Sequence, residues 1–235
     1  MMAELLPESV VTVEAFGDTW PEGATLYPEE EALVARAVEK RRREFTTVRV
    51  CARAAMEKLG VAPGPILRGA FGAPRWPAGL IGSMTHCQGY GAAALARAGD
   101  LASIGIDAEQ HERLPEEGLG AVVLATEVER LAGLAAEHPS VHWERVLFSA
   151  KESVYKAWFP LTGQWLDFSE ADIEIFTDRA SGARPGAGDE VRSGHFRAEL
   201  LVPGPLVGGA RVGSFDGRWA VQGSLLATVV TVPHA

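Results

Sequence analysis

The pattern of apolar and polar residues in the first half of the chain predicts one helical region with a strand before it and a strand after it. Residues 10–16 and 90–97 have the composition and alternation of strands. Residues 28–59 have the apolar spacing of a helix, with a break expected near Thr46 and Thr47. Residues 65–74 are rich in turn formers and predict a loop or hairpin.

The second half begins with a strand at Ile104, followed by a polar stretch over residues 110–120. Asp216-Gly217 predicts a hairpin turn, and residues 177–193 predict a flexible loop. Helices are expected at 126–137 and 143–159, and further strands near 171–176, 195–202, 211–215, 218–222 and 225–232. This order of helices and strands predicts an α+β fold.

Length and composition limit the class of protein. The 235 residues are 47% hydrophobic, which is enough for one or two cores. No stretch approaches 18 apolar residues, and the first residues lack a basic segment followed by an apolar one, so we expect no membrane span and a cytoplasmic location. Cys51 and Cys87 fit no metal-ligand spacing and are expected to be free thiols.

Charge is distributed unevenly along the chain. The net charge of −9 argues against nucleic acid as a partner. One segment nevertheless has seven basic residues against Glu39 and Glu44: Arg36, Lys40, Arg41, Arg42, Arg43, Arg49 and Arg53. The run indicates either a focused anion site or a solvated helix face.

Two acidic motifs carry candidate chemistry. Asp107 and Glu109 follow the apolar run 101–106, and their alternation puts both carboxylates on one face of a strand. Hard oxygen ligands of this kind favour Mg²⁺ or Mn²⁺, although a solvated strand end is the alternative. In the predicted helix 143–159, Glu152 and Lys156 are four residues apart, which fits a site or a surface ion pair.

The two motifs together resemble a known signature. Gly105-Ile106-Asp107-Ala108-Glu109 and Phe148-Ser149-Ala150-Lys151-Glu152-Ser153-Val154-Tyr155-Lys156 match the pattern of the Sfp-like 4′-phosphopantetheinyl transferases, and the chain resembles their actinobacterial members. The resemblance extends from about Pro28 to about Ala227 and includes the stretches around Arg41, Arg49 and His86.

The resemblance implies an architecture. Sfp-like transferases are pseudodimers of two similar α+β subdomains, and coenzyme A binds in the cleft between them. The expected boundary lies near residues 99–103. Residues 1–102 would then form an N-terminal subdomain with the coenzyme A phosphate contacts, and residues 103–235 a C-terminal subdomain with the metal and catalytic residues. The protein is expected to be a monomer.

The resemblance also implies roles for individual residues. Asp107, Glu109 and Glu152 would hold Mg²⁺, or Mn²⁺. Glu152 is the first candidate for the general base and Asp107 the second, while Lys156 would stabilise charge on the phosphate. Lys151 is assigned to the phosphate in preference to an anchoring role. The expected cofactor contacts are Arg41, Arg49, Arg68, Thr85, His86, Asp107, Lys151, Glu152 and Lys156. Family members carry another basic residue where this chain has Phe71.

The expected reaction is transfer of 4′-phosphopantetheine from coenzyme A to a serine of an apo acyl or peptidyl carrier protein, with release of 3′,5′-ADP. Carriers of fatty acid, polyketide and nonribosomal peptide synthesis are not distinguished, and residues 110–124 are the expected docking segment. Two alternatives use the same residues: a metal-dependent phosphohydrolase, and a noncatalytic module that binds a carrier protein or coenzyme A.

Overall fold

Helices and antiparallel sheets make up the protein, and this confirms the predicted α+β class. The structure is a computed structural model that describes residues 1–18, 24–178 and 192–234. Within these ranges no helix is both long enough and apolar enough to cross a membrane. The predicted flexible loop at 177–193 lies for the most part outside the described residues.

The first half of the chain packs one long helix on a three-stranded sheet. Its elements are α1 (Met2–Leu5), β1 (Val11–Phe16), α2 (Pro28–Val34), α3 (Glu39–Lys58), β2 (Leu80–Cys87) and β3 (Tyr90–Arg97). The antiparallel order is β1-β3-β2. The apolar face of α3, with Cys51, Ala52 and Met56, is buried against Ala93 and Leu95 of β3.

The helical break predicted near Thr46 and Thr47 is wrong. Both threonines lie within α3, and their hydroxyl groups donate hydrogen bonds to the carbonyl oxygens of Arg42 and Arg43, at 2.8 and 3.0 Å. These bonds within the helix accommodate two β-branched residues that otherwise favour extended backbone. The chain breaks earlier, between α2 and α3, where Val38 is extended at φ −62° and ψ 155°.

The second half packs helices on a five-stranded antiparallel sheet of order β4-β10-β9-β6-β5. Its elements are β4 (Ser103–Gln110), α4 (Glu116–Val122), α5 (Ala125–Glu137), α6 (Trp143–Thr162), β5 (Ala171–Thr177), β6 (Ser193–Leu200), β7 (Leu206–Val207), β8 (Ala210–Arg211), β9 (Ser214–Gln222) and β10 (Leu225–Val232). Buried side chains of α6, such as Val146, Leu147 and Val154, form the centre of this core.

The hairpin turn predicted at Asp216-Gly217 is wrong. Both residues lie inside β9, where they pair with Arg197 and Phe196 of β6. A Cβ atom at position 217 would lie 2.1 Å from the Phe196 ring, so glycine is required there by packing. The turn between β9 and β10 is made instead at Gly223, which has a φ of +62°.

The two halves meet where β2 lies beside β4. The hydroxyl groups of Ser83 and Thr85 on β2 accept hydrogen bonds from the backbone amides of Ile106 and Ala108, at 3.1 and 3.0 Å. On its other side, β4 approaches α6 so closely at Gly105 that an added Cβ would lie 1.9 Å from the carbonyl oxygen of Ser153. The acidic strand is therefore fixed between one strand and one helix.

We expect Gly105→Ala to lower the free energy of unfolding by about 3 kcal/mol, because the methyl group would separate β4 from α6. Gly133→Ala in α5 is the matched control. Its Cβ would meet nothing within 4 Å, and alanine should stabilise the helix by about 0.5–1 kcal/mol. Chemical denaturation of the purified variants measures both effects, and equal stability of the two variants would contradict the close approach.

Candidate active site

A cleft of about 630 Å³ lies between the two halves. Its walls come from α3, the segment 68–76, β2 and the C-terminal part of α6. Among the described residues, no carboxylate contributes to its lining. The charged side chains there and the one histidine are Arg41, Arg49, Arg68, Arg75, His86 and Lys156, and the phenol group of Tyr155 also lines the cleft. In a protein of net charge −9, this arrangement is a focused anion site.

Asp107 connects the elements around one end of this cleft. Its side chain is buried, and Lys156 donates a hydrogen bond of 2.7 Å to Oδ1. The hydroxyl group of Ser149 donates to Oδ2 at 2.8 Å, and that of Thr85 donates to Oδ1 at 3.3 Å. Three donors from β2 and α6 therefore fix the orientation of this carboxylate.

Lys156 extends the basic lining to the acidic strand. In addition to Asp107, its ammonium group donates to the carbonyl oxygen of Ile106 at 3.1 Å. The side chain remains 26% exposed and lines the cleft. One cation is thus held against β4 while it still faces the space in which an anion can bind.

Glu109 and Glu152 carry carboxyl groups with perturbed pKa values. Burial and the neighbouring charge of Asp107 raise the pKa of Glu109 to about 7, although Arg145 lies 3.3 Å from its Oε2. Burial also raises the pKa of Glu152, and Asp107 adds to this while Lys156 opposes it. Ionised carboxylates are disfavoured here because they are partly desolvated and repel one another.

The donor chemistry of these three carboxylates fits a hard divalent cation, because a cation would offset their repulsion. Their arrangement differs from the predicted metal site. Among the described residues, no three His, Cys, Asp or Glu side chains are grouped closely enough to hold a metal ion. Asp107 is bound by Lys156 and Ser149, and Glu109 is paired with Arg145. Rearrangement of these contacts would have to accompany metal binding.

His86 faces the cleft beside Arg41 and Glu44. Arg41 Nη1 lies 2.5 Å from His86 Nε2, and Glu44 Oε2 lies 3.6 Å from Nδ1. Burial lowers the pKa of His86, and the charges of Arg41 and Lys156 lower it further, while Glu44 raises it. A neutral ring accepts the Arg41 hydrogen bond at Nε2 and keeps its own proton on Nδ1, towards Glu44.

Arg49 lines the cleft but is largely internal. Its Nε and Nη2 donate to the carbonyl oxygen of Ile66, and its guanidinium stacks on the Phe45 ring. Burial lowers its pKa to about 10, the fully buried Glu30 opposes this shift, and the charges of Arg68, Arg53 and Arg41 add to it. The main cause is desolvation of the guanidinium group.

Two predicted cofactor contacts lie outside the lining of the cleft. Lys151 points away from it, and its ammonium group donates to Glu127, to the carbonyl oxygen of Val122 and to that of Phe168, at 2.8–2.9 Å. These contacts fit the anchoring role, because a buried ammonium group needs such partners. Thr85 is buried, and its hydroxyl group is used by Asp107 and Ala108.

Aromatic side chains form an apolar wall where the segment 68–76 meets the C-terminal end of α6. Phe71 contacts the rings of Phe159 and Trp165, with centroids 5.7 and 6.4 Å apart, and Tyr155 lies 4.8 Å from Trp165. Phe71 is therefore part of this apolar wall and provides no cation. Arg75, which the sequence motifs did not single out, lines the cleft a few residues later.

Comparison with known families identifies the class of protein. Residues 29–96 match the N-terminal domain of 4′-phosphopantetheinyl transferases, and residues 103–211 match the 4′-phosphopantetheinyl transferase superfamily. The chain belongs to this superfamily, which confirms the resemblance and the prediction that it is an enzyme.

Relatives over the full length come from actinobacteria. The 4′-phosphopantetheinyl transferase Svp of Streptomyces mobaraensis is 54% identical over 99% of this chain and 89% of its own. The 4′-phosphopantetheinyl transferase PptT of Mycobacterium tuberculosis is 42% identical over 99% of this chain and 98% of its own. The 4′-phosphopantetheinyl transferase Npt of Nocardia iowensis is 44% identical over 98% of this chain and 99% of its own.

We expect Lys151→Ala to lower the free energy of unfolding by about 3 kcal/mol, because Glu127 would be left as a buried, uncompensated charge. Coenzyme A affinity of the folded variant should stay within twofold of the parent. Denaturation and calorimetric titration measure the two effects, with the exposed Lys58→Ala as control. A stable variant with weakened coenzyme A binding would restore the phosphate role.

Proposed function

We propose that this protein transfers the 4′-phosphopantetheine group of coenzyme A to a serine of an apo carrier protein and releases 3′,5′-ADP. The observation that carries the proposal is a cleft in which the charged side chains of the described residues are all basic. It ends at the Asp107–Lys156 pair, with Glu109 and Glu152 beside it. Such a cleft suits a multiply phosphorylated cofactor. Membership of the superfamily supports the same activity.

The basic residues bind and orient the cofactor in this mechanism. Arg41, Arg68 and His86 contact its phosphate groups, and Arg49, which is largely buried in the lining of the cleft, adds positive charge. Lys156 contacts the phosphate that reacts, where its ammonium group stabilises negative charge in the transition state. Phe71, Tyr155 and Phe159 give the cleft an apolar part, and Trp165 packs against Phe71 and Tyr155.

Asp107, Glu109 and Glu152 are the proposed ligands of Mg²⁺, with Mn²⁺ as a substitute. Their carboxylate oxygens are hard donors. Burial is the main cause of the raised pKa values of Glu109 and Glu152, the charge of Asp107 adds to it, and a bound cation would favour the ionised forms. The bound ion would supply charge stabilisation for the pyrophosphate.

Glu152 is the proposed general base. Its carboxyl group makes no hydrogen bond within the described ranges, and burial raises its pKa, which makes its carboxylate a stronger base than that of an exposed glutamate. The serine Oγ forms a bond to the phosphorus that bears the pantetheine arm, the phosphoanhydride bond breaks, and 3′,5′-ADP leaves with the electron pair. Glu152 takes the serine proton. Asp107 is the second candidate, but three hydrogen-bond donors already occupy its oxygens.

The proposed substrates are carrier proteins of fatty acid, polyketide or nonribosomal peptide synthesis. We also propose that the protein acts as a monomer in the cytoplasm. The proposed docking segment 110–124 contains α4, on which Val122 is buried and therefore unavailable as an anchor. A hydrolase or a noncatalytic binding module would use the same cleft, and superfamily membership favours the transferase.

Purified protein with coenzyme A, Mg²⁺ and a panel of apo carrier proteins should add the mass of one phosphopantetheine to at least one carrier. We expect Glu152→Gln to lower the transfer rate by at least about a hundredfold, since a positioned base contributes about this much. The exposed Glu57→Gln is the control. Nucleotide release without any carrier would support the hydrolase, and binding without turnover would support the noncatalytic module.

We expect Mg²⁺ to raise the midpoint of thermal unfolding more at pH 8 than at pH 6. The pKa of Glu109 is raised to about 7, so its carboxyl group is mainly protonated at pH 6 and ionised at pH 8, where it binds the ion. Asp107→Asn should abolish the effect, whereas Asp100→Asn on an exposed turn should retain it. Equal stabilisation of wild type and Asp107→Asn would exclude this carboxylate as a ligand.

A further inference from the structure

Arg75 is a cation of the cleft to which neither sequence motif assigned a role. We propose that Arg75 binds a phosphate group of coenzyme A. This inference rests on the proposed function, because it names a further contact to the same cofactor. It adds that Arg75 is a determinant of cofactor affinity in this chain.

The backbone holds Arg75 at the base of a small hairpin. Its amide donates to the carbonyl oxygen of Leu67 at 2.9 Å, and the neighbouring Pro74 forms a bridge with Arg68. The Gly69 amide closes the hairpin with a hydrogen bond of 2.7 Å to the carbonyl oxygen of Ala73. The guanidinium groups of Arg68 and Arg75 are thus carried into one wall of the cleft by a hydrogen-bonded scaffold.

The side chain of Arg75 crosses the face of Gly69. An added Cβ at position 69 would lie 3.5 Å from both Cγ and Nε of Arg75, which is an ordinary van der Waals contact, so the arginine stem packs over the backbone of Gly69.

The guanidinium of Arg75 has no competing carboxylate. Within residues 1–18, 24–178 and 192–234, it forms no ion pair and no hydrogen bond, and its side chain is exposed to the cleft. Arg41 contacts His86 and lies 3.9 Å from Glu44, and Arg49 is bonded to Ile66 and faces Glu30. Arg75 therefore retains its full set of donors for a ligand, and a guanidinium fork matches phosphate oxygens.

The tip of the hairpin provides no cation that could bind a phosphate group. Phe71 adopts a left-handed conformation with φ 51° and contacts the rings of Phe159 and Trp165. The hairpin therefore presents an apolar tip to α6, while Arg68 and Arg75 near its base both line the cleft. A phosphate of a cofactor bound in this cleft would meet Arg75 near the base of the hairpin.

Calorimetric titration with coenzyme A and with dephospho-coenzyme A tests the proposal on the folded protein. We expect Arg75→Gln to weaken coenzyme A binding about ten- to a hundredfold, the usual effect of losing a charge-assisted hydrogen bond. Arg75→Lys should lose less, because it keeps the charge without the fork. The exposed Arg36→Gln lies outside the cleft lining and should bind like wild type.

The two ligands identify the phosphate. A loss confined to coenzyme A assigns Arg75 to the 3′-phosphate, and an equal loss for both ligands assigns it to the pyrophosphate. Dissociation constants within twofold of wild type for both ligands overturn the proposal. If wild type binds coenzyme A and Arg75→Gln weakens it, but no carrier is loaded, the proposed function fails and the Arg75 contact stands. If carriers are loaded and Arg75→Gln binds normally, only the Arg75 contact fails.

Discussion

The buried carboxylate of Asp107 is the interaction on which the site depends. Lys156 and Ser149 from α6 and Thr85 from β2 all donate to it, while Thr228 of β10 contacts Ser149. The same β2 hydroxyl accepts from the backbone of β4, so the two halves of the chain meet through the residue that orients the acidic strand. A buried carboxylate is tolerated only when several donors satisfy it, and here those donors also connect the elements.

Charge separation within the cleft gives the site its chemistry. Basic side chains line the cleft, and the carboxyl groups of Glu109 and Glu152, with raised pKa values, lie next to its end at Lys156. An anion reduces the repulsion among the arginines, and a cation reduces the repulsion among the carboxylates. A phosphorylated cofactor together with a divalent ion would reduce the repulsion in both the basic and the acidic group of side chains. The proposed substrate therefore fits the distribution of charge in the site.

Much of the fold could be predicted because it depends on local patterns. The long helix with Glu152, the strands at 90–97 and 225–232 and the α+β class follow from the period of apolar residues. The predicted break at Thr46 and Thr47 and the predicted turn at Gly217 were wrong because specific contacts override the intrinsic preferences of these residues. Hydroxyl bonds within α3 keep the two threonines helical, and the Phe196 ring requires glycine inside β9.

The sequence by itself determined the family and the chemical types in the site, since both acidic motifs are contiguous and their residues have fixed chemistry. Only the tertiary structure decided which side chains reach the cleft. Lys151 and Lys156 are five residues apart on one helix and so lie on different faces, but only the tertiary structure provides Glu127 as the partner of one and Asp107 as the partner of the other. Arg68 and Arg75 come to line the same cleft because a hairpin pairs Arg68 with Pro74 and Arg75 with Leu67. Direction and partnership depend on packing between distant segments, which no local pattern encodes.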